Sequence, residues 1–259
     1  QHRQAYDLWG TSYGTLCKTD DGEELRSLIM EKDRESFLDA RAVFTISRNT
    51  SNRLKRYNHI DSKVLYPPPA HWDKMHCESY GDYIFYLSRI YSIKRQHTLI
   101  RAAKYLQSDA KVIIAGRGSE IQQTKIFDLI RENHLEDRVR FIGEITDEEK
   151  IEYYANCLGV YFGAYDEDYG YITLEGFFSR KPVIVHKDAG GPLEFVEDGV
   201  NGYIVDTAPE ILAEKIDQLY WDKKKAQEFG ERGYQKLIDM NLDWDYVIDE
   251  LIRAAGYEQ

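Results

Sequence analysis

From residue 79 onward the sequence alternates short, continuously apolar runs with amphipathic helical patterns, and this alternation constrains the fold more than any other feature. The run 112–114, Val-Ile-Ile, is apolar at every position, whereas a strand with one solvent-exposed face would alternate apolar and polar side chains. Continuously apolar strands are typical of parallel sheets covered by helices on both faces. The pattern therefore predicts an α/β fold, a Rossmann-like doubly wound parallel sheet.

Six strands are predicted in this region, at 83–88, 111–116, 138–143, 158–165, 182–186 and 202–206. Helices are predicted between them at 97–106, 119–133, 146–157 and 172–180, and after the last strand at 208–240 and 242–259. The helix at 146–157 opens with Thr146 followed three positions later by Glu149, the pattern of a capping box.

The first 68 residues carry a thinner pattern, with a helix at 20–40, a strand at 42–47, a helix at 49–58 and a strand that ends at the prolines 67–69. One strand–helix unit is not expected to form a sheet alone, and consecutive prolines favour an extended connector. We therefore predict three regions: 1–68, an incomplete N-terminal α/β segment with its linker; 69–240, the main α/β domain; and 241–259, a terminal helix. The start without Met or a regular pattern suggests a piece of a longer protein.

Composition excludes several classes of protein. The net charge of −11 argues against a broad nucleic-acid or anionic-membrane surface. Cys17, Cys77 and Cys157 are far apart and form no C-x-x-C pair, and no His/Cys cluster is present, so neither a disulfide framework nor a metal site is predicted. No apolar stretch approaches about 18 residues, and no secretory signal pattern opens the chain. We expect a soluble, cytoplasmic protein.

Two loops at the ends of predicted strands carry basic residues or glycines. Arg89 ends one strand and Lys94 follows five positions later before a helix, a pair suited to a phosphate, although a solvated loop explains it equally well. Gly116, Arg117 and Gly118 follow the next strand, where glycines permit close approach of a ligand to the backbone. A dinucleotide fingerprint would need a third glycine where Ile121 stands, so this signal for a dehydrogenase is weak.

The segment 167–175, EDYGYITLE, combines two glutamates with a loop that enters a helix. Gly170 lies at the bend, so amides of Tyr171, Ile172 and Thr173 would point above the sheet and suit a phosphate, while Glu167 and Glu175 would accept bonds from sugar hydroxyls. Acidic residues near a helix start also stabilise it by about 0.3–1 kcal/mol without any ligand. A Gly190-Gly191 turn follows the fifth strand, where the needs of a tight turn explain it fully and close approach to a ligand is only permitted.

Taken in this order, these fragments resemble the C-terminal, donor-binding domain of the family 4 retaining glycosyltransferases, which have the two-domain GT-B architecture. The matching elements are Arg89-x4-Lys94, IIAGRG at 113–118, VRFIG at 139–143, Glu167-x7-Glu175 and AGGPLEFVEDGVNGYIV at 189–205. The resemblance covers about 79–206, and the Trp244-containing helix fits the family segment that crosses back to the other domain.

The resemblance implies a function for each matching residue. Arg89 and Lys94 would neutralise the donor diphosphate, Glu167 would bind hydroxyls of the transferred sugar, and Glu175 those of the ribose. The catalytic set is thus Glu167, Arg89 and Lys94, and no metal is implied. The remaining donor-binding set is Glu175, Gly116, Arg117, Phe141, Ile142, Gly170, Tyr171, Ile172 and Thr173, with the backbone at 140–142 beside the base.

Two departures from the family pattern matter. Arg180 stands where the family usually has a glycine with positive φ, so the turn there is expected to differ or to be strained. The first 66 residues resemble only the last part of the acceptor domain, without its Gly-rich loop. This absence suggests that the chain binds the donor without completing the transfer on its own.

The leading hypothesis is a retaining glycosyltransferase that moves a hexose-type sugar from a nucleoside diphosphate donor, UDP- or GDP-linked, to a glycan or lipid-linked glycan. No resident cofactor and no nucleic-acid partner are expected, and the absent domain, in the same or another chain, would supply acceptor contacts and any contact with the inner face of a membrane. The alternatives are a non-catalytic nucleotide-sugar-binding subunit, a GT-B epimerase or phosphorylase, and a generic Rossmann nucleotide-binding domain.

Overall fold

The computed structural model describes residues 2–16 and 18–256, and its central feature is a six-stranded sheet in which all strands are parallel. The strands are β3 (Tyr83–Leu87), β4 (Lys111–Ala115), β5 (Val139–Gly143), β6 (Gly159–Phe162), β7 (Val183–His186) and β8 (Gly202–Val205). Their order across the sheet is β5-β4-β3-β6-β7-β8. The predicted doubly wound parallel sheet is confirmed, and the direction of strand addition reverses between β3 and β6.

Helices flank these strands. They are α3 (Gln96–Ala103), α4 (Glu120–Glu132), α5 (Asp147–Asn156), α6 (Tyr171–Phe178), α7 (Pro209–Trp221) and α8 (Lys223–Asp239). All four residues of β6 and all four of β7 are buried, as the uninterrupted apolar runs predict. The strands supply the core together with buried faces of α3, α4 and α7, which contribute Leu99, Ile126 and Leu212.

The ends of the helices follow local capping chemistry. The capping box predicted at Thr146 is present, with Glu149 N–H bonded to Thr146 Oγ1 at 3.2 Å and Glu149 Oε2 accepting from the Thr146 N–H at 2.8 Å. A second capping box at Ser119 was not predicted. The helical stretch predicted at 208–240 consists of two helices, because Asp222 ends α7 and its carboxylate accepts a bond from the Lys225 N–H at 3.0 Å, which starts α8.

The contact pattern divides the chain into two units, Pro68–Leu242 and a smaller one formed by Gln1–Pro67 with Asp243–Gln259. The sequence placed these boundaries after residues 68 and 240, and the structure divides the chain after Pro67 and Leu242. The assignment of the two units to acceptor and donor domains stays a prediction. Cys17 and residues 257–259 of the predicted terminal helix lie outside the described residues.

The smaller unit contains α1 (Asp20–Leu38), β1 (Phe44–Thr45), α2 (Arg48–Asn58), β2 (Lys63–Val64) and α9 (Trp244–Ala255). The expectation that this region forms no sheet of its own is wrong. β1 and β2 pair in parallel, with the Lys63 N–H bonded to Val43 O at 3.0 Å and the Leu65 N–H to Thr45 O at 2.8 Å. In the described part of the chain, no helix has the length and apolar character needed to cross a membrane.

Candidate functional site

The candidate residues gather at the carboxyl ends of the central strands. In open α/β sheets, ligands bind outside these ends at the point where the strand order reverses, here between β3 and β6. The loops after these two strands lie against each other, because the Tyr165 N–H donates to Ile93 O at 3.0 Å.

Two of the three predicted catalytic side chains meet there. Lys94 closes a short 3₁₀ turn after β3, and its Nζ donates a hydrogen bond to Glu167 Oε2 in the loop after β6. The side chains are 15% and 27% exposed, so the ion pair faces partly into solvent. An ion pair with this exposure is open to exchange when another anion approaches Lys94.

Arg89, the third predicted catalytic residue, follows β3 and is exposed. Its backbone carbonyl accepts a bond from Gln96 Nε2 at 2.8 Å, which fixes the main chain at this point. Within residues 2–16 and 18–256 its guanidinium has no ion-pair or hydrogen-bond partner. The loop therefore carries Lys94, which is paired with Glu167, and Arg89, whose guanidinium has no partner among the described residues.

The Gly190-Gly191 turn runs beside the loop that carries Glu167. The Glu167 N–H donates to Ala189 O and the Gly191 N–H donates to Glu167 O, both at 2.8 Å. A Cβ at Gly191 would lie 2.5 Å from Asp168 O, so only glycine permits this approach. The structural explanation considered for these glycines thus applies, since they let two protein loops approach each other, and close approach to a ligand stays a prediction.

The start of α6 lies next to this pair of loops. Gly170 has φ +86°, and a Cβ there would come within 2.5 Å of Pro192 Cγ. The first turn of α6 contains no acidic residue, so stabilisation of the helix dipole does not account for Glu167 or Glu175. The Thr173 N–H is already bonded to Gly170 O at 2.9 Å, whereas Thr173 Oγ1 is buried and has no hydrogen-bond partner in the described residues.

Glu175, the fifth residue of α6, is 7% exposed and accepts two hydrogen bonds from α5. Tyr154 Oη donates to Glu175 Oε2 at 2.8 Å, and Lys150 Nζ donates to Glu175 Oε1 at 3.2 Å. Lys150 Nζ also contacts Asp147 Oδ1 at 3.0 Å. Burial alone would lower the pKa of Lys150, but the carboxylates of Glu175 and Asp147 outweigh it and raise that pKa.

The remaining predicted residues lie farther along the sheet edge, at the ends of β4 and β5. Gly116 has φ +142°, and a Cβ there would fall 1.8 Å from Ser88 O, so the ends of β3 and β4 touch. Arg117 is exposed, and Phe141 and Ile142 are half-buried. Because β4 and β3 separate β5 from β6, Phe141 lies three strand spacings, roughly 14 Å, from the strand that leads to Glu167.

Sequence reasoning missed an ion pair beneath these loops. Arg95, with φ +54°, directs both terminal nitrogens to the carboxylate of Asp188, each at 2.8 Å. Burial would raise the pKa of Asp188, yet the Arg95 guanidinium outweighs it and holds that pKa below its usual value. Arg95 directly follows Lys94, and Asp188 lies two positions before Gly190, so the ion pair holds these two loops together.

A second buried polar contact lies on β6 and β7. Tyr161 Oη and His186 Nε2 are 2.6 Å apart, and His186 Nδ1 is 3.2 Å from Asp206 O. Burial lowers the pKa of His186. No signal in the sequence distinguishes this histidine from other core positions. In the described ranges, no group of three or more His, Cys, Asp or Glu residues is arranged to hold a metal ion.

The arrangement defines a class of protein: a parallel α/β domain whose switch point carries basic residues, a helix start and glutamates suited to an anionic, hydroxyl-bearing ligand. Residues 78–236 match the model of the family described as glycosyl transferases group 1. The chain belongs to that family, and the resemblance stated from the sequence is confirmed.

Several curated proteins are similar to the chain. The alpha-1,3/1,6-mannosyltransferase of Dictyostelium discoideum is 33% identical over 112 residues, which are 43% of this chain and 26% of that protein. The poly(ribitol-phosphate) alpha-N-acetylglucosaminyltransferase of Staphylococcus aureus is 31% identical over 162 residues, 60% of this chain and 31% of that protein. The chain thus spans less than half the length of each of these relatives.

Solved structures show the same fold. HepE of Anabaena, in complex with UDP and glucose, superimposes with a TM-score of 0.75 at 21% identity, covering 84% of this chain and 63% of HepE. Sucrose-phosphate synthase of Thermosynechococcus elongatus has a TM-score of 0.79 at 19% identity, covering 95% of this chain and 66% of that protein. The fold is that of GT-B glycosyltransferases.

Proposed function

We propose that the chain contains the donor-binding part of a glycosyltransferase that takes a hexose-type sugar from a nucleoside diphosphate, with retention of the anomeric configuration. The observation that carries the proposal is the meeting of Lys94 and Glu167 beside the exposed Arg89 and the start of α6, in a chain that belongs to the group 1 glycosyl transferases.

The diphosphate would lie over the loop after β3. Arg89 supplies a planar fork for phosphate oxygens and Lys94 a compact charge. The N–H groups of Tyr171 and Ile172, at the start of α6, add the partial positive charge of a helix terminus. Negative charge grows on the diphosphate as the glycosidic bond breaks, so fixed positive groups stabilise the transition state more than the bound substrate.

Exchange of the Lys94 partner would prepare Glu167 for the sugar. When a phosphate binds Lys94, the Glu167 Oε2 position that Lys94 occupied can accept a hydrogen bond from a sugar hydroxyl. The ion pair therefore keeps both side chains near their working positions before the donor arrives.

The rest of the donor would extend along the sheet edge toward β5. The roughly 14 Å between β6 and β5 leaves room for a ribose near Glu175 and a base near Phe141, Ile142 and Arg117. UDP and GDP are the two carriers we propose, with no resident cofactor. The acceptor, a glycan or lipid-linked glycan, would be bound mainly by a further domain, which would also provide any contact with a membrane.

Isothermal titration calorimetry with UDP, GDP and ADP, each free and sugar-linked, tests the proposal. We expect one nucleotide to bind, and the double variant Arg89→Ala/Lys94→Ala to lower its affinity by roughly a hundredfold, because two hydrogen bonds to charged groups are lost. The control Lys224→Ala/Arg232→Ala also removes one lysine and one arginine charge, but from α8, and should leave the affinity unchanged. A folded protein that binds neither the UDP nor the GDP ligands would refute the proposal, and equal losses in both double variants would refute the phosphate assignment.

A further inference from the structure

Two residues of α5, Lys150 and Tyr154, hold the carboxylate of Glu175 from the protein side. They are four positions apart, so both project from the same face of the helix toward one glutamate on α6. Neither residue belongs to the sequence patterns that suggested the site. This inference rests on the proposed function, because it concerns how Glu175 would recognise the ribose.

The contacts leave part of Glu175 available for a ligand. A carboxylate offers about four acceptor positions. Tyr154 occupies one on Oε2 and Lys150 one on Oε1, while 10% of the side chain stays exposed. The protein therefore fills one acceptor position on each oxygen, and about two acceptor positions remain for hydroxyl donors.

Tyr154 is itself rigidly placed. Its ring packs edge to face on Phe85 of β3, with centroids 5.1 Å apart and planes at 86°, and both rings are completely buried. Burial raises the pKa of the Tyr154 hydroxyl, so it remains a hydrogen-bond donor at neutral pH. Because this donor cannot move, its bond to Oε2 fixes the orientation of the Glu175 carboxylate.

Lys150 supplies the charge that a buried carboxylate requires. An ionised glutamate removed from water is costly unless a cation compensates it, and Lys150 Nζ lies 3.2 Å from Glu175 Oε1. Asp147, at 3.0 Å on the other side of the ammonium, holds the lysine in place. The Lys150 ammonium therefore offsets part of the cost of burying the Glu175 carboxylate.

We propose that Lys150 and Tyr154 are positioning residues that set the selectivity of the site for a ribose diol over a sugar lacking these hydroxyls. A carboxylate that is already oriented binds two neighbouring hydroxyls without the cost of ordering its side chain. Loss of either partner lets the carboxylate rotate or bond elsewhere, so the advantage of the diol decreases while the phosphate and base contacts remain.

The test compares dissociation constants of a nucleoside diphosphate and its 2′,3′-dideoxy analogue, measured by calorimetry with UDP or GDP, whichever binds the wild-type protein more tightly. We expect the wild type to prefer the ribose form by roughly tenfold or more, since the diol donates to a charged acceptor. Tyr154→Phe and Lys150→Met should each reduce this ratio by about threefold or more, with little change for the dideoxy form. Lys150→Arg should retain more of the ratio than Lys150→Met.

Two matched controls report effects of structure alone. Tyr203→Phe removes a hydroxyl bonded to Gln218 at 2.9 Å, and Lys111→Met removes an ammonium bonded to Asp137 O at 3.0 Å, at the opposite end of β4. Neither should change the ratio. Tyr154→Phe deletes a single oxygen atom and keeps the test decisive if Lys150→Met does not fold.

The outcomes separate this inference from the proposed function. A wild-type protein that binds the nucleotide but does not distinguish the two forms, or variants that weaken both forms equally, would overturn the positioning of Glu175 and leave donor binding intact. A wild-type protein that binds neither UDP nor GDP would overturn both proposals together.

Discussion

Replacing Arg180 by glycine or by alanine should separate the strain of its backbone from the contacts of its side chain. Arg180 follows α6 with φ +51°, at the position where the family that the chain resembles usually has glycine. Its Nε lies 2.9 Å from Glu231 Oε2, and its guanidinium carbon lies 4.0 Å from the centre of the Tyr234 ring. The turn predicted from the sequence to be strained therefore adopts the left-handed conformation with an arginine.

The expected free energies of unfolding follow from these contacts. The ion pair is 38% and 58% exposed and contributes at most about 1 kcal/mol. The cation–π contact contributes about 0.5–1 kcal/mol, and the left-handed conformation costs a non-glycine residue about 1–2 kcal/mol. Arg180→Ala loses both contacts and keeps the strain, so it should be about 1–1.5 kcal/mol less stable than the wild type.

Arg180→Gly loses the same contacts but relieves the strain, at a cost of about 0.5–1 kcal/mol for the greater freedom of glycine in the unfolded chain. We expect it to be about 0.5–1 kcal/mol more stable than Arg180→Ala. Urea unfolding followed by circular dichroism measures both variants. At Arg232, inside α8, the same two replacements should give the opposite order, with glycine less stable than alanine by about 1 kcal/mol.

If Arg180→Gly is no more stable than Arg180→Ala, while Arg232→Gly is less stable than Arg232→Ala as expected, the backbone at Arg180 is not strained.

Two further replacements test the loops of the site. Gly116→Ala should lower the free energy of unfolding by about 3 kcal/mol or more, because its Cβ would lie 1.8 Å from Ser88 O, and a loss below about 1 kcal/mol in urea unfolding would contradict the close approach. Asp188→Asn should cost about 1–2 kcal/mol at pH 7, a value reduced because the Asp188 side chain is 39% exposed. Since Arg95 keeps the pKa of Asp188 below its usual value, the wild-type contribution is complete above about pH 4 and is lost as the pH falls through the folded-state pKa. Urea midpoints measured from pH 5 to pH 2 should therefore fall less in the variant, and parallel curves would exclude this contribution.

The strands of the sheet were predictable because their burial on both faces leaves continuous apolar runs in the sequence. Their ends were less predictable, since apolar residues continue past the last ladder bond. The strand predicted to Tyr165 ends at Phe162, because the chain after it turns to bond the loop after β3 through Tyr165. Similarly, Asp222 stands in a continuous helical pattern, and only its capping bond shows that the helix stops there.

The candidate site was predictable where its residues follow strand ends, since parallel strands deliver such residues to one edge of a sheet. The meeting of Lys94 and Glu167 agrees with this reasoning, whereas their assigned functions remain predictions. Lys150 and Tyr154 project from the middle of a helix, and Arg95 and Asp188 are 93 positions apart. Such pairs depend on how elements pack together, which the spacing of residues along the chain does not encode.

The two glutamates of the E-x7-E segment differ in a way that bears on how a site of this kind binds its ligand. The Glu167 side chain is 27% exposed and its ion pair with Lys94 is accessible to solvent, so the anionic part of a ligand can replace Glu167 as the partner of Lys94. The Glu175 side chain is 10% exposed and is held by two donors from α5, so its direction is set before any ligand arrives. A preorganised carboxylate favours selectivity for the part of the ligand it contacts, whereas an exchangeable ion pair favours a response to binding. In the proposed donor site, the ribose would be recognised by a fixed group, and the sugar would meet a glutamate whose ion pair with Lys94 opens when the diphosphate binds.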